Sequence, residues 1–242
     1  MVQSSAKASR LVNRIQAALK PFANRARSDF MAGGYAPSGL RCLGVAVPEM
    51  RAVVRAFARD LKDRPPREII ALALALARQK TIEGRQVGYE LIARRADAMA
   101  LLTPGLVRTL GRGNDNWASV DGFATYLAGP AWRLGRVSDK DVLGWATSSD
   151  TWWRRTALVS TVALNVDARG GTGDSPRTLL ICERFARETD PMLVKALSWA
   201  LRSLVPRDPD GVRNFLARHK TLAGIVRREV TAKLETGTKV RR

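Results

Sequence analysis

Two residues four positions apart, Trp117 and Asp121, carry side chains that could do chemistry together. In a helix this spacing places the indole and the carboxylate on the same face. A sheltered carboxylate stabilises positive charge that develops during a reaction, and an aromatic face attracts a bound cation. The competing interpretation is an ordinary surface aspartate beside a tryptophan at the edge of the core.

Two further segments place cations and an indole in unusual positions. Arg155 is followed at helical spacing by aliphatic residues, so its guanidinium needs an anionic partner or a route to water. Both an internal ion pair and contact with a phosphate are open for Arg155. Trp199 lies between Lys195 and Arg202 on the face opposite a leucine stripe. It either packs against a neighbouring repeat or stacks on a base in a positively charged groove.

These residues must be positioned by helices, because apolar residues recur with helical period and strand alternation is absent. A basic amphipathic helix begins near Pro48 and carries Arg51 on its polar side. Cap-type or proline residues predict further helix starts at these places: Pro65–Pro66, Asn114–Asn116, Ser138, Asp150, Asp190 and Asp208. The last predicted helix contains Leu222 to Leu234. Gly170–Gly173 is interpreted as a flexible surface loop.

The rhythm of these elements predicts an all-α fold. Roughly ten or eleven helices joined by short turns fit five or six HEAT-type units of ~40–47 residues. We expect a single HEAT-like repeat domain over residues 1–242, with short flexible ends near 1–6 and 237–242. A helical bundle without repeats is the alternative.

The composition points to a polyanionic partner. The 242 residues include 41 Lys and Arg against 22 Asp and Glu, a net charge of +19. Charge alone leaves DNA, RNA, the ribosome and an anionic membrane open. The C-terminal segment, which includes Arg227 and Arg228, has few interleaved acids, which favours phosphate contact over a solvated face.

The composition also argues against several classes of site. Two cysteines, Cys42 and Cys182, and the single His219 make a structural zinc site implausible, and we expect no metal or cofactor. No apolar run reaches the ~20 residues of a membrane-spanning helix, and no secretory leader is evident. A reducing cytoplasmic setting is the expectation.

The order and spacing of these segments resemble the DNA alkylation repair glycosylases of the AlkD-like family from about Tyr35 to about Leu234. The markers are Leu43-Gly44-Val45 with Pro48 and Arg51, Trp117…Val120-Asp121, Trp152…Arg155-Thr156-Ala157, and Lys195-Ala196…Trp199…Leu201-Arg202. The resemblance implies a superhelical solenoid of antiparallel HEAT-like helix pairs with a concave basic groove. The sequence departs from the family pattern at Ala118, where many members carry another acid, and at Gly170–Asp174, where the loop is longer.

The resemblance also implies a function and site roles. The function is a monofunctional DNA glycosylase that excises cationic N3- or N7-alkylated purines from duplex DNA, acting as a monomer. Asp121 matches the catalytic carboxylate, Trp117 and Trp199 match the aromatic residues of the lesion site, and Arg155 matches the arginine beside the lesion. Backbone contacts are expected from these cations: Arg51, Arg154, Lys195, Arg202, Arg227 and Arg228.

Two other classes of function remain as alternatives. One is a non-catalytic helical-repeat protein that recognises unusual DNA or RNA structure. The absence of an acid at Ala118 is compatible with this alternative. A protein–protein scaffold is the commonest use of helical repeats, but the +19 charge disfavours it.

The charge generates a first prediction. Affinity for duplex DNA should fall by roughly 10³-fold or more between about 50 and 200 mM salt, because each neutralised phosphate releases counterions. Fluorescence anisotropy with a labelled duplex measures this dependence. An affinity that does not change with salt would contradict the electrostatic argument.

Overall fold

The computed structural model describes the backbone of residues 2–239 and the side chains of residues 8–239. Within these residues the secondary structure is helical, apart from one isolated parallel bridge between Arg41 and Thr81. The predicted all-α fold is therefore confirmed. Among the described residues, no helix has both the length and the apolar character needed to cross a membrane.

The chain forms two compact units, Met1–Phe123 and Ala124–Arg242. The described α-helices of the first unit are α1 Val2–Leu19, α2 Arg25–Phe30, α3 Val47–Asp60, α4 Pro66–Arg78, α5 Ile82–Ala93, α6 Ala96–Ala100, α7 Pro104–Gly111 and α8 Trp117–Phe123. Those of the second unit are α9 Gly129–Arg133, α10 Asp139–Ala146, α11 Thr151–Ser160, α12 Val162–Asn165, α13 Ser175–Glu183, α14 Pro191–Leu204, α15 Pro209–Arg218 and α16 Gly224–Thr236.

The core of the first unit forms around α4 and α5. Helix α4 packs against α1 and α5, and α5 also packs against α3 and α8. The side chains that meet there are fully buried: Ile15, Leu72, Leu76, Val87 and Ile92. Each contributes ~1.5–3 kcal/mol through burial. Helix α8, which carries Trp117 and Asp121, is therefore fixed against a helix of the core.

The core of the second unit forms around α11 and α14. Helix α11 packs against α10 and α14, and α14 also packs against α12, α13 and α16. The leucine stripe predicted for α14 is buried, with Leu193, Leu201 and Leu204 fully inaccessible to solvent. Packing of each helix on close neighbours in sequence agrees with the predicted helical repeats.

The predicted helix starts are confirmed at their caps. Ser138 and Asp141 form a reciprocal capping box at the start of α10. Asp150, Asp190 and Asp208 each accept a hydrogen bond from a backbone N–H in the first turn of α11, α14 and α15, at 2.7–2.8 Å. These bonds satisfy donors that a helix leaves without partners.

Some elements were not predicted. Helices α1, α2, α6, α7 and α13 were missing from the sequence analysis, although Thr103 caps α7 and Asp174 caps α13. The described residues form sixteen α-helical segments, more than predicted, because several are single turns such as α12. The predicted flexible ends include residues 1 and 240–242, which lie outside the described residues.

The Gly170–Gly173 segment is partly packed and is not wholly a surface loop. Gly171 is buried, and its N–H donates to the carbonyl of Val166 at 3.1 Å. A Cβ on Gly171 would lie 2.5 Å from the carbonyl carbon of Leu164. Gly173 donates to the Leu164 carbonyl at 2.9 Å. The backbone of α12 therefore requires glycine at position 171.

The packing of α9 generates a prediction. A Cβ on Gly129 would lie 2.5 Å from the Ser160 carbonyl oxygen and 2.7 Å from Ala163 Cβ. Gly129→Ala should therefore lower the free energy of unfolding by about 1–3 kcal/mol through overpacking. Gly144→Ala is the matched control, because Gly144 lies in α10 and a Cβ there would meet no other atom within 4 Å. Urea unfolding measures both variants, and equal effects would contradict the close approach.

Candidate functional site

The start of α8 positions Trp117 and Asp121. Asn116 is the residue before the helix, and its side-chain oxygen accepts a hydrogen bond from the Ser119 N–H at 2.9 Å. Val120 is fully buried, whereas Trp117 and Asp121 are partly exposed. The predicted N-terminal cap is confirmed, and the indole and carboxylate lie one helical turn apart at the protein surface.

Trp117 has aromatic neighbours that the sequence analysis missed. Its Nε1–H donates to the backbone carbonyl of Tyr35 at 2.7 Å, and the two rings meet edge to face with centroids 5.1 Å apart. Tyr35 also contacts the ring of Phe30, with centroids 4.9 Å apart. Phe30 and Tyr35 are 62% and 51% exposed. The sequence signal for this contact was the pair of aromatic residues, Phe30 and Tyr35, on either side of two glycines.

Helix α5 holds the chain that leads into α8. Arg85 is buried, and its guanidinium donates to the Arg112 carbonyl at 2.9 Å and to Asn114 Oδ1 at 3.0 Å. Tyr89 donates to the Leu110 carbonyl at 3.0 Å, and burial raises the pKa of its hydroxyl. These bonds satisfy carbonyl groups in the last turn of α7 and just after it that would otherwise be costly to bury.

The same helix also contacts α8 directly. A Cβ on Gly122 would lie 1.9 Å from Gln86 Oε1, so glycine next to Asp121 permits this close approach. Gln86 in turn donates to Glu90 at 2.8 Å, which fixes the orientation of its amide.

In the second unit, Arg155 connects α11 to α14. Its side chain is 5% exposed, and its guanidinium donates to the backbone carbonyl of Met192 in the first turn of α14. The neighbouring Arg154 forms an ion pair with Glu188 and lies 5.5 Å from the centroid of the Phe185 ring. Both arginines therefore have partners within this unit.

Helix α14 presents Lys195 and Trp199 on its polar side, as predicted. Lys195 is exposed and Trp199 is partly exposed. Arg202 is instead engaged with Glu229, at 3.6 Å between Nε and Oε2, and donates to Ser198 at 3.2 Å. Burial lowers the pKa of Arg202, and the neighbouring Glu229 carboxylate opposes that shift.

Glu229 joins this cluster from α16. Burial raises the pKa of its carboxyl, but hydrogen bonds from Ser198 at 2.6 Å and from Lys239 at 3.0 Å outweigh burial and hold the pKa below its ordinary value. The carboxylate is therefore the charged centre to which Ser198, Arg202 and Lys239 bind.

The remaining predicted phosphate-binding residues differ in their surroundings. Arg227 donates to the carbonyls of Leu216 at 3.3 Å and His219 at 2.9 Å, at the C-terminal end of α15. Arg228 is exposed. Arg51 is also exposed, on the polar side of α3.

Burial keeps both cysteine thiols away from the thiolate form that reacts as a nucleophile. Burial raises the pKa of the Cys42 thiol to about 11, and burial also raises that of Cys182. Among the residues that the structure describes, no group of three or more His, Cys, Asp and Glu side chains is arranged to hold a metal ion.

Comparison with known families gives the class of this protein. A sequence model of the family described as DNA alkylation repair enzyme matches residues 15–234, which is most of the chain. The protein belongs to this family, and the resemblance found in the sequence is confirmed. The family supports a role in DNA repair with DNA as the partner. No curated protein shows significant similarity to the chain.

The neighbouring arginines of α16 generate a prediction about stability. Arg227→Ala should lower the free energy of unfolding by about 1–3 kcal/mol, because it removes charged donors from the carbonyls that end α15. Arg228→Ala should change it by no more than about 0.5 kcal/mol, since its side chain is exposed. Thermal unfolding compares the two, and a larger loss in the Arg228 variant would contradict these assignments.

Proposed function

We propose that this protein is a monofunctional DNA glycosylase that removes cationic N3- or N7-alkylated purines from duplex DNA. The observation that carries the proposal is the pairing of a partly exposed carboxylate, Asp121, with a partly exposed indole, Trp117, on the anchored α8. Membership of the DNA alkylation repair enzyme family supports the partner and the damage class.

The chemistry requires little beyond these two side chains. Alkylation at N3 or N7 leaves the purine positively charged, so its bond to the sugar is already activated. When the bond from C1′ to N9 breaks, its electron pair neutralises the base, and no general acid is needed. Water then adds to C1′ and loses a proton, which leaves an abasic sugar.

Asp121 is the proposed catalytic residue. The transition state carries oxocarbenium character at the sugar, and a nearby carboxylate stabilises that charge and orients the attacking water. No amine is proposed as a nucleophile toward C1′, so the abasic strand is expected to remain uncut.

The indoles are proposed to favour the charged substrate. Trp117 is partly exposed, and its ring is the proposed contact for the cationic base. A cation–π contact with a cationic nucleoside is worth ~0.5–2 kcal/mol, depending on desolvation. Trp199 is assigned the same role from the family motif. Arg155 is assigned by the motif to the backbone beside the lesion, but it is 5% exposed and bonded to Met192, so this contact requires the side chain to become more accessible when DNA binds.

The exposed cations are the first candidates for phosphate contacts. Arg51, Lys195 and Arg228 are exposed, and each would neutralise one phosphate. Arg154, Arg202 and Arg227 are only partly exposed, so each would present fewer donors to a phosphate. We further propose that the protein acts as a monomer at the nucleoid.

The proposed role of Asp121 is tested by single-turnover release of base from a duplex that contains N7-methylguanine. Asp121→Asn should lower the rate constant by about 10²–10³-fold, because it removes the stabilising charge while nearly conserving shape. Asp63→Asn is the matched control, because Asp63 is exposed and lies between α3 and α4. It should release base at the wild-type rate.

The outcomes separate the function from the residue. Equal rates for Asp121→Asn and the wild type would contradict only the role of Asp121. Tight binding of methylated duplex by the wild type without any release would reject the glycosylase and favour a non-catalytic DNA-binding protein.

A further inference from the structure

We propose that Ser38 and Asp115 are positioning residues for Trp117, because they fasten residues 35–39, here named the α8 strap, to the start of α8. The proposal rests on the proposed function for its effect on base release. Its structural part, the fixed orientation of the Trp117 indole, is measurable without any activity. All the residues concerned lie in the first unit.

The strap occupies both oxygens of the Asp115 carboxylate. The Ser38 hydroxyl donates to Oδ1, and the Gly39 N–H donates to Oδ2 at 2.6 Å. A Cβ on Gly39 would lie 3.0 Å from Oδ2, so the absence of a side chain allows this approach. Hydrogen bonds to a carboxylate are about twice as strong as those between neutral groups. Asp115 is therefore the main anchor of the strap.

Ser38 extends this anchor to the cap of α8. Its hydroxyl oxygen accepts hydrogen bonds from Asn116 Nδ2 at 2.9 Å and from the Leu40 N–H at 2.9 Å. With one bond donated and two accepted, the hydroxyl reaches its full capacity. The Asn116 side-chain oxygen accepts from the Ser119 N–H, and its Nδ2 also donates to Asp115 Oδ1 at 3.3 Å, so Ser38 and Asp115 together orient the capping amide.

The second end of the strap binds Trp117 itself. The Tyr35 carbonyl accepts the indole N–H at 2.7 Å, and the edge-to-face contact with the Tyr35 ring restricts rotation of the indole. Tyr35 follows a turn in which Gly34 has φ of +125°, a conformation that favours glycine. The next residue, Ala36, is buried, and its N–H donates to the Met31 carbonyl at 2.9 Å.

These contacts make the orientation of Trp117 depend on residues that need not touch DNA. The Tyr35 side chain is half exposed, so its own burial does not fix the position of this residue. The hydrogen bonds of residues 38 and 39 and the burial of Ala36 hold its carbonyl in place. Loss of the Ser38 bond should let residues 35–39 move and let the indole turn. A displacement of ~1 Å in a positioning group costs up to ~10²-fold in rate.

The direct test observes the indole N–H groups by heteronuclear NMR with ¹⁵N-labelled tryptophan. The chain has 6 tryptophans, and Trp117→Phe assigns the signal of interest. In Ser38→Ala and Asp115→Asn this signal should shift and exchange with water faster. Ser38→Thr keeps the hydroxyl and should retain the wild-type signal. Ser28→Ala is the matched control, because the Ser28 hydroxyl bonds to the Cys42 carbonyl at 2.9 Å, away from α8.

The functional test is a double-mutant cycle in single-turnover base release. Ser38→Ala should lower the rate constant by about 10-fold in the wild-type background, with a smaller effect on DNA affinity, and by less than about 2-fold in the Trp117→Phe background. A merely structural role would lower the melting temperature and reduce the rate equally in both backgrounds.

Two results would overturn the proposal. One is an unchanged Trp117 indole signal in Ser38→Ala and Asp115→Asn. The other is an equal loss of rate with and without the Trp117 indole. If the wild type releases no base, the proposed function fails, and the positioning of the indole stands or falls on the NMR signal alone.

Discussion

The candidate site depends on the hydrogen bonds that fix the start of α8. The first turn of a helix has N–H groups without partners inside the helix, so its position depends on what precedes it. Here Asn116 satisfies one of those donors, and the buried Arg85 holds the chain just before it through Asn114 and the Arg112 carbonyl. The indole of Trp117 and the carboxylate of Asp121 take their places from this anchored turn.

The surplus of positive charge is the second constraint, because 22 acidic residues cannot pair with 41 cations. Acids are placed beside arginines that are partly withdrawn from water: Glu188 pairs with Arg154, and Glu229 pairs with Arg202. Other arginines bind backbone carbonyls, as Arg155 and Arg227 do. The exposed cations are what gives the surface its attraction for a polyanion.

The sequence was sufficient for the features that depend on local chemistry. Cap residues such as Ser138, Asp190 and Asp208 predicted helix starts correctly, because a cap bonds to a backbone group within the next three residues. The spacing of Trp117 and Asp121 correctly predicted a shared helical face, because residues four positions apart lie one turn apart on a helix. The buried leucine stripe of α14 followed from helical period alone.

The sequence was insufficient where partners are distant along the chain. Arg154 and Arg228 have the same side chain, yet only the fold shows that the first meets Glu188 and the second is exposed. The contact between Tyr35 and Trp117 joins residues 82 positions apart, and no local pattern encodes it. The glycines of residues 170–173 predicted a loop from the sequence. The burial of Gly171 could not be predicted, because it depends on contact with the backbone of α12.

The proposed reaction hydrolyses the bond between the sugar and the cationic purine and leaves the strand intact. Product analysis by liquid chromatography and mass spectrometry, after incubation with a duplex containing N7-methylguanine, tests it most directly. The expected products are free N7-methylguanine and a full-length strand that carries one alkali-labile abasic site. Recovery of the bound duplex with every methylated guanine still attached would contradict it.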